Sequence, residues 1–207
     1  VIVVENPHPP RRNLFQYSTF GELLIQEIVA GPDEAIYQVG ALYDGEKRLK
    51  AAFMGRKLDQ YPAQYGSGTL VESIIEEEVL AEGLRILELF NVVGIAAVEL
   101  KRDVTDGKLK FLGINTRPWL WHSLATRCEV NLPYLYYLTL IDKPFKSALD
   151  QQEGIQWIHL VPYFLSAREK RKTKKITWFK WVRTLFKPKE FALFRWTDPM
   201  PAIRYGL

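Results

Sequence analysis

Apolar and polar positions alternate along GIAAVELKRDVTDGKLKFLGIN, residues 94 to 115, closely enough to predict a β-hairpin and its register. Thr105-Asp106-Gly107 fits a three-residue loop, a type I turn closed by a glycine in the left-handed region. Position 104 then faces 108, 99 faces 113 and 97 faces 115. Val98, Leu100, Leu112 and Ile114 fall on one apolar face, while Glu99 stands opposite Gly113 on the other with Asn115 diagonally across. A two-residue loop would shift every pair by one and turn Leu112 and Ile114 to the polar side.

Short β-like runs fill the first sixty residues: 1 to 5, 21 to 29 (GELLIQEIV), 34 to 44 (EAIYQVGALYD) and 48 to 58 (RLKAAFMGRKL), with Asp44-Gly45 as a hairpin signal between the last two. Pro62 and the glycines of QYGSGT at 64 to 69 predict a loop. Ser73, with Glu76 three residues on, has the form of a capping box before Ile74, Ile75, Val79, Leu80, Leu84, Leu87 and Phe90, so a helix is expected from there to Asn91 and Gly94. After the hairpin, TRPWLWHSLATRCEVNLPYLYYLTLIDKP predicts a loop, a short helix and a second helix over 132 to 141. Sheet, helix and then a carboxylate-bearing antiparallel hairpin describe an α+β domain rather than an alternating parallel one.

At 207 residues, 47% of them hydrophobic, the chain can bury a substantial core. No apolar run reaches the roughly 18 residues of a membrane span, and VIVVENPHPPRRN has no signal-peptide form, so a soluble, cytoplasmic protein is expected. That start, apolar and without an initiator methionine, is what a fragment would have. The single cysteine, Cys128, excludes an internal disulfide and reads as a half-buried thiol; His8, His122 and His159 lack zinc-ligand spacing. The net charge of +4 is uneven, because residues 168 to 190 hold ten Lys or Arg against two Glu. A uniformly basic nucleic-acid coat is therefore not present, and no nucleic-acid partner is expected. Within the basic stretch Trp178, Phe179, Trp181, Leu185 and Phe186 could lie on an anionic membrane surface, but a helix packing its aromatics on its own domain is the commoner use of such a pattern.

Taken together, in this order and spacing, LIQEIVAGPDE, GRKLDQYP, the Glu99 hairpin and INTRPW resemble the ATP-grasp superfamily, and within it the predicted carboxylate–amine ligase group. The similarity covers roughly residues 21 to 145, with a weaker echo in WTDPMP. It implies an enzyme that uses ATP and Mg²⁺ to turn a carboxylate into an acyl phosphate, which an amine attacks, with small-molecule carboxylate and amine substrates. The expected architecture is an ATP-grasp-type α+β domain over residues 1–145, an antiparallel sheet flanked by helices, followed by a basic, helical C-terminal extension over 146–207. The family's preceding lobe, which brings a lysine to the ATP α/β-phosphates, is not found, so the chain is expected to be the later part of a larger enzyme or a reduced relative.

By the same resemblance, Gln26, Glu27, Ile28 and Val29 would offer peptide groups to adenine, and Asp33 or Glu34 would accept from the ribose hydroxyls. A strand ending in a Gly31-Pro32-Asp33 turn is the plain alternative. Arg56 and Lys57 resemble the basic residues at the family's active-site mouth, where guanidinium and ammonium suit phosphates and carboxylates; two solvated charges at a strand end read equally well. Glu99 takes the place of the first metal-binding carboxylate and Asn115 that of an amide oxygen ligand, both hard donors suited to Mg²⁺. Arg117 would neutralise the transferred phosphoryl group or orient the acyl phosphate. Two departures stand out: Thr116 replaces a proline, and Gly113 replaces the glutamate that bridges the metals. Asp103 or Asp106 could reach inward only if the hairpin were distorted, since Asp106 sits in the turn, so metal binding should be weakened, and catalysis more so than nucleotide binding. Gly113 can also be read as the mark of a bulge, which would shift the register.

Overall fold

β1 (Ile36–Tyr43) has no exposed residue, which is possible only for a strand paired on both edges and covered on both faces. A computed structural model describes residues 26–63, 65–172, 187 and 189–205. In it β1 pairs antiparallel with β2 (Leu49–Tyr61) and with β4 (Gly94–Arg102). β3 (Ser67–Ser73), β5 (Leu109–Asn115), β6 (Gln156–Ile158) and β7 (Lys189–Phe191) complete a seven-stranded sheet in the order β5-β4-β1-β2-β3-β6-β7, mixed only because β7 runs parallel to β6. The expected α+β class holds.

Helix α1 (Glu77–Leu89) lies on one face and buries Val79, Gly83, Ile86 and Leu87 against Val39, Ala41 and Val98. Its backbone comes close enough that a Cβ at Gly83 would meet Val39 Cβ at 2.5 Å. The other face is covered by Trp119 and Trp121, by α2 (His122–Arg127) and by α3 (Leu132–Leu140), with Phe53, Leu124 and Trp157 fully enclosed. Trp119 lies on Gly40, where a Cβ would sit 2.0 Å from Cη2. Asn131 caps α3 by accepting from the Tyr134 amide, and Pro133 occupies the first turn, where it costs no hydrogen bond. Burying side chains the size of Phe or Leu stabilises by about 1.5–3 kcal/mol each. Cys128 is fully buried in this cluster rather than half-buried, and burial pushes its thiol up.

Several expectations need correction. Of the strand expected over 21 to 29, the described part, 26 to 29, is not in a strand. QYGSGT does not end in a loop: β3 begins at Ser67. Ser73 is a buried strand residue exchanging hydrogen bonds with the Ile155 backbone, and α1 starts four residues later without a side-chain cap from Glu76. The segment after 146, expected as helical, adds β6 and β7 to the sheet, and Trp157 enters the core; among its described residues α4 (Leu160–Lys172) and the short α5 (Met200–Tyr205) are helical. The strand expected over 1 to 5, the first part of 21 to 29, and Trp178, Phe179, Trp181, Leu185 and Phe186 lie outside the described residues.

The hairpin loop is also different. Asp103 N–H bonds to Lys108 O at 2.9 Å and Gly107 N–H to Asp103 O at 2.8 Å, so the loop is Val104–Gly107, one residue longer than expected. Pairing then runs Arg102 with Leu109 and Leu100 with Phe111, until a bulge between Glu99 and Leu100 leaves Leu112 without a partner and sets Glu99 opposite Gly113. Leu112, expected on the apolar face, lies outside the cluster under α1, where Leu109 packs instead. Asp103 organises the loop: it accepts from the Thr105 amide at 2.8 Å and hydroxyl at 2.6 Å, and pairs with Lys110 at 2.7 Å.

Two stability results follow from these contacts. Gly40→Ala should destabilise by about 1–3 kcal/mol, since Trp119 must move, whereas Gly113→Ala, where a Cβ meets nothing within 4 Å, should gain about 0.5–1 kcal/mol from strand entropy. Urea midpoints decide, and equal midpoints for the two variants would contradict the packing. Lys110 and Thr105, by donating to Asp103, hold its carboxyl well below the usual carboxylate range. A lowered folded value stabilises above about pH 4, where the unfolded carboxyl is ionised, and that contribution fades as pH falls toward the folded value. Between about pH 6 and about pH 3, Asp103→Asn should therefore lose less denaturant midpoint than the parent; equal losses would show that the Asp103 contacts contribute nothing.

Candidate functional site

Strand pairing aligns Gly113, Glu99, Gln38, Gly55 and Ser73 in one row across β5, β4, β1, β2 and β3. Directly paired residues of antiparallel strands project to the same side, here the side of Trp119 and Trp121. Asn115, paired with Ala97, shares it. Glu99, Gly113 and Asn115 are thus brought together as the sequence suggested, at the edge of the aromatic cover: Gly55 lies under Trp121, whose Cζ3 is 2.9 Å from where a Cβ would be.

Lys57 reaches this row from two residues further along β2, and its ammonium forms an ion pair with Glu99. The lysine side chain is 11% exposed and the carboxylate 26%, so the pair is partly desolvated. Its side-chain stem passes Gly68, whose missing Cβ would lie 3.6 Å from Lys57 Cγ. Between Glu99 and Gly55 sits Gln38, 5% exposed, whose Nε2 has no hydrogen-bond partner. A buried donor left unmade costs about 1–3 kcal/mol. Gln38 drew no attention in the sequence; its signal was a polar residue at an inward position of an otherwise apolar strand.

Arg56 does not join Lys57. Neighbours on a strand point to opposite faces, and Arg56 lies in the row Tyr37, Arg56, Glu72, Gln156, Lys189 on the α1 side. There Arg56 Nη2 is 3.5 Å from Glu72, Lys187 Nζ is 2.5 Å from the same carboxylate, and Gln156 Nε2 donates to it at 3.2 Å. Burial alone would raise Glu72, but Lys187, Gln156 and Arg56 outweigh it and the carboxyl is lowered. Lys189 donates to Gln156 Oε1 at 2.8 Å and is pushed down to about 8 by burial and by the Lys187 charge. None of Glu72, Gln156 and Lys189 was singled out in the sequence, because all three lie in strands that were not expected.

The remaining expected residues take varied places. Arg117 is exposed and donates to Pro118 O at 3.1 Å. Residues 26 to 30 run beside the hairpin: Gln26 Nε2 donates to Leu112 O at 3.1 Å, Glu27 pairs with Lys110 at 3.0 Å, and Val104 N–H bonds to Ala30 O at 3.3 Å. Ile28 is exposed and Val29 buried. Asp33 is committed elsewhere, accepting from Gln60 Nε2 at 2.8 Å and Lys170 Nζ at 2.9 Å. Lys170 also pairs with Asp59, which accepts from Ser166 and Thr69 as well, so this buried group ties α4 to β2 and β3. Glu34 stays exposed.

The residues present do not fit a tightly held divalent ion. Mg²⁺ asks for several hard oxygen donors, and Glu99 and Asn115 supply one carboxylate, already neutralised by an ammonium, and one amide. Among the described residues no group of three or more Asp, Glu, His or Cys is gathered for a metal. No helix among them is long and apolar enough to cross a membrane.

No family model matches the chain. It is 24% identical over 127 residues to the D-aspartate ligase of Enterococcus faecium, a match spanning 60% of this chain and 30% of that protein. Among solved structures, a Rhizobium etli pyruvate carboxylase aligns with a TM-score of 0.48 at 17% identity over 70% of this chain and 16% of that one. The phosphoribosylaminoimidazole carboxylase ATPase subunit of Aquifex aeolicus aligns with a TM-score of 0.48 at 15% identity over 60% of this chain and 37% of that one. The chain spans about a third of the length of the ligase that it matches.

Proposed function

We propose that the chain is the nucleotide-binding part of an ATP-dependent ligase of the carboxylate–amine type. The observation that supports it best is the shared face of Glu99, Gly113 and Asn115 with Lys57 brought across β1 to Glu99, in a chain whose motifs resemble those of ATP-grasp ligases and which has sequence similarity to a D-aspartate ligase. In the reaction, a carboxylate oxygen attacks the γ-phosphorus of ATP and ADP departs; an amine then attacks the acyl carbon and inorganic phosphate leaves with the broken C–O bond. Lys57, paired with Glu99, and Arg117, two residues past Asn115, would offset charge on the phosphoryl group and acyl phosphate. Residues Gln26 to Val29 would line adenine, and Glu34, exposed where Asp33 is engaged, would be the carboxylate for the ribose. Arg56, on the other face, has no part in these steps.

Gly113 favours a second reading, a nucleotide-binding or scaffold protein with impaired catalysis. ADP release from ATP, followed across a panel of carboxylates and amines for the parent and for Gly113→Glu, separates the two. An enzyme releases ADP with at least one pair; a binding protein releases none until the carboxylate is restored, and then gains about tenfold or more over background. If neither protein turns over, the placement of the catalytic site on this hairpin is wrong.

A further inference from the structure

The Glu99 side of the sheet is assembled as if a protein cation had replaced a bound one. Building on the nucleotide reading above, we propose that Lys57 takes the role of a divalent cation here and that the chain binds the phosphates of a nucleoside polyphosphate without one.

Four features point to this. The first is charge. Glu99 is in contact with the Lys57 ammonium, a neutral pair that gives a second cation little to bind and an ammonium to repel it. The second is donor capacity, since an ammonium has three N–H groups and Glu99 occupies only part of them, leaving donors for phosphate oxygens. The third is space: a Cβ at Gly113 would meet nothing within 4 Å, so the β5 side of Glu99 is open where a second carboxylate would otherwise project. The fourth is Gln38, directly opposite Glu99 on β1, with a buried Nε2 that makes no hydrogen bond. Side chains so placed start from Cβ atoms about 4.5–5.5 Å apart. When Lys57 turns toward a phosphate, Glu99 can accept from this amide, so the ion pair opens without leaving a bare buried charge. The orphan donor then has a use in the ligand-bound state that it lacks in the free one.

Calorimetric titration of the full chain with ATP, first in EDTA and then in excess Mg²⁺, tests this. The expected dissociation constants agree within about threefold. The double variant Lys57→Met with Glu99→Gln removes both charges and strands neither; it should bind ATP about tenfold or more weakly in EDTA. Gly113→Glu adds a carboxylate beside Glu99, so its binding in EDTA should fall by about tenfold and recover with Mg²⁺. Binding by the parent only when Mg²⁺ is present overturns the inference while leaving the nucleotide reading in place. A double variant that binds like the parent also overturns it. Absence of heat in both buffers removes the nucleotide reading itself. If thermal melting shows the double variant unfolded, the comparison of the two buffers on the parent decides alone.

Discussion

The constraint on which the structure depends is the complete burial of β1. A strand with neither face nor edge exposed must be bordered by two strands and covered by two layers, and its small residues measure how closely those layers press. Gly40 admits Trp119 on one side, and Gly83 of α1 admits Val39 on the other. Gln38 of this strand is a hydrogen-bonding group held inside the sandwich with its amide nitrogen unmatched, and its position beside Glu99 gives that irregularity a chemical location.

Strand alternation then divides the charges between two chemically different faces. The Trp119 face holds a compact neutral pair, Lys57 with Glu99. The α1 face holds Glu72 surrounded by Arg56, Lys187 and Gln156, with Lys189 behind it. Adjacent residues of β2, Arg56 and Lys57, thus serve separate electrostatic groups, and only one is available to a ligand bound beside the hairpin. A dibasic pair in a strand behaves as two single cations facing apart, unlike the same pair in a loop.

What could be read from the sequence depended on whether local chemistry or distant contacts fixed each element. β1, β2 and α3 were legible because β-like apolar runs, the Asp44-Gly45 turn signal and the apolar segment around Pro133 are local signals. β3 was obscured by glycines that punctuate its start, and Ser73 by a tertiary partner: Ile155 claims the hydroxyl that a capping reading had assigned to α1. β6 and β7 have three residues each, too few for alternation to register. The opposition of Glu99 to Gly113 was anticipated through two errors that cancel, since a loop one residue longer is offset by the bulge at Leu112. The Lys57–Glu99 pairing had no sequence signal, because it joins strands that are not neighbours in the sheet.

That bulge separates the history of the loop from the history of the site. An added residue at the hairpin tip would normally rotate every position on one strand by half a turn and send Gly113 and Asn115 to the wrong side of the sheet. By absorbing the extra residue at Leu112, before Glu99 meets Gly113, the hairpin confines a change of length to its outer half. One residue of loop length at the Val104–Gly107 end is thereby uncoupled from the geometry around Glu99.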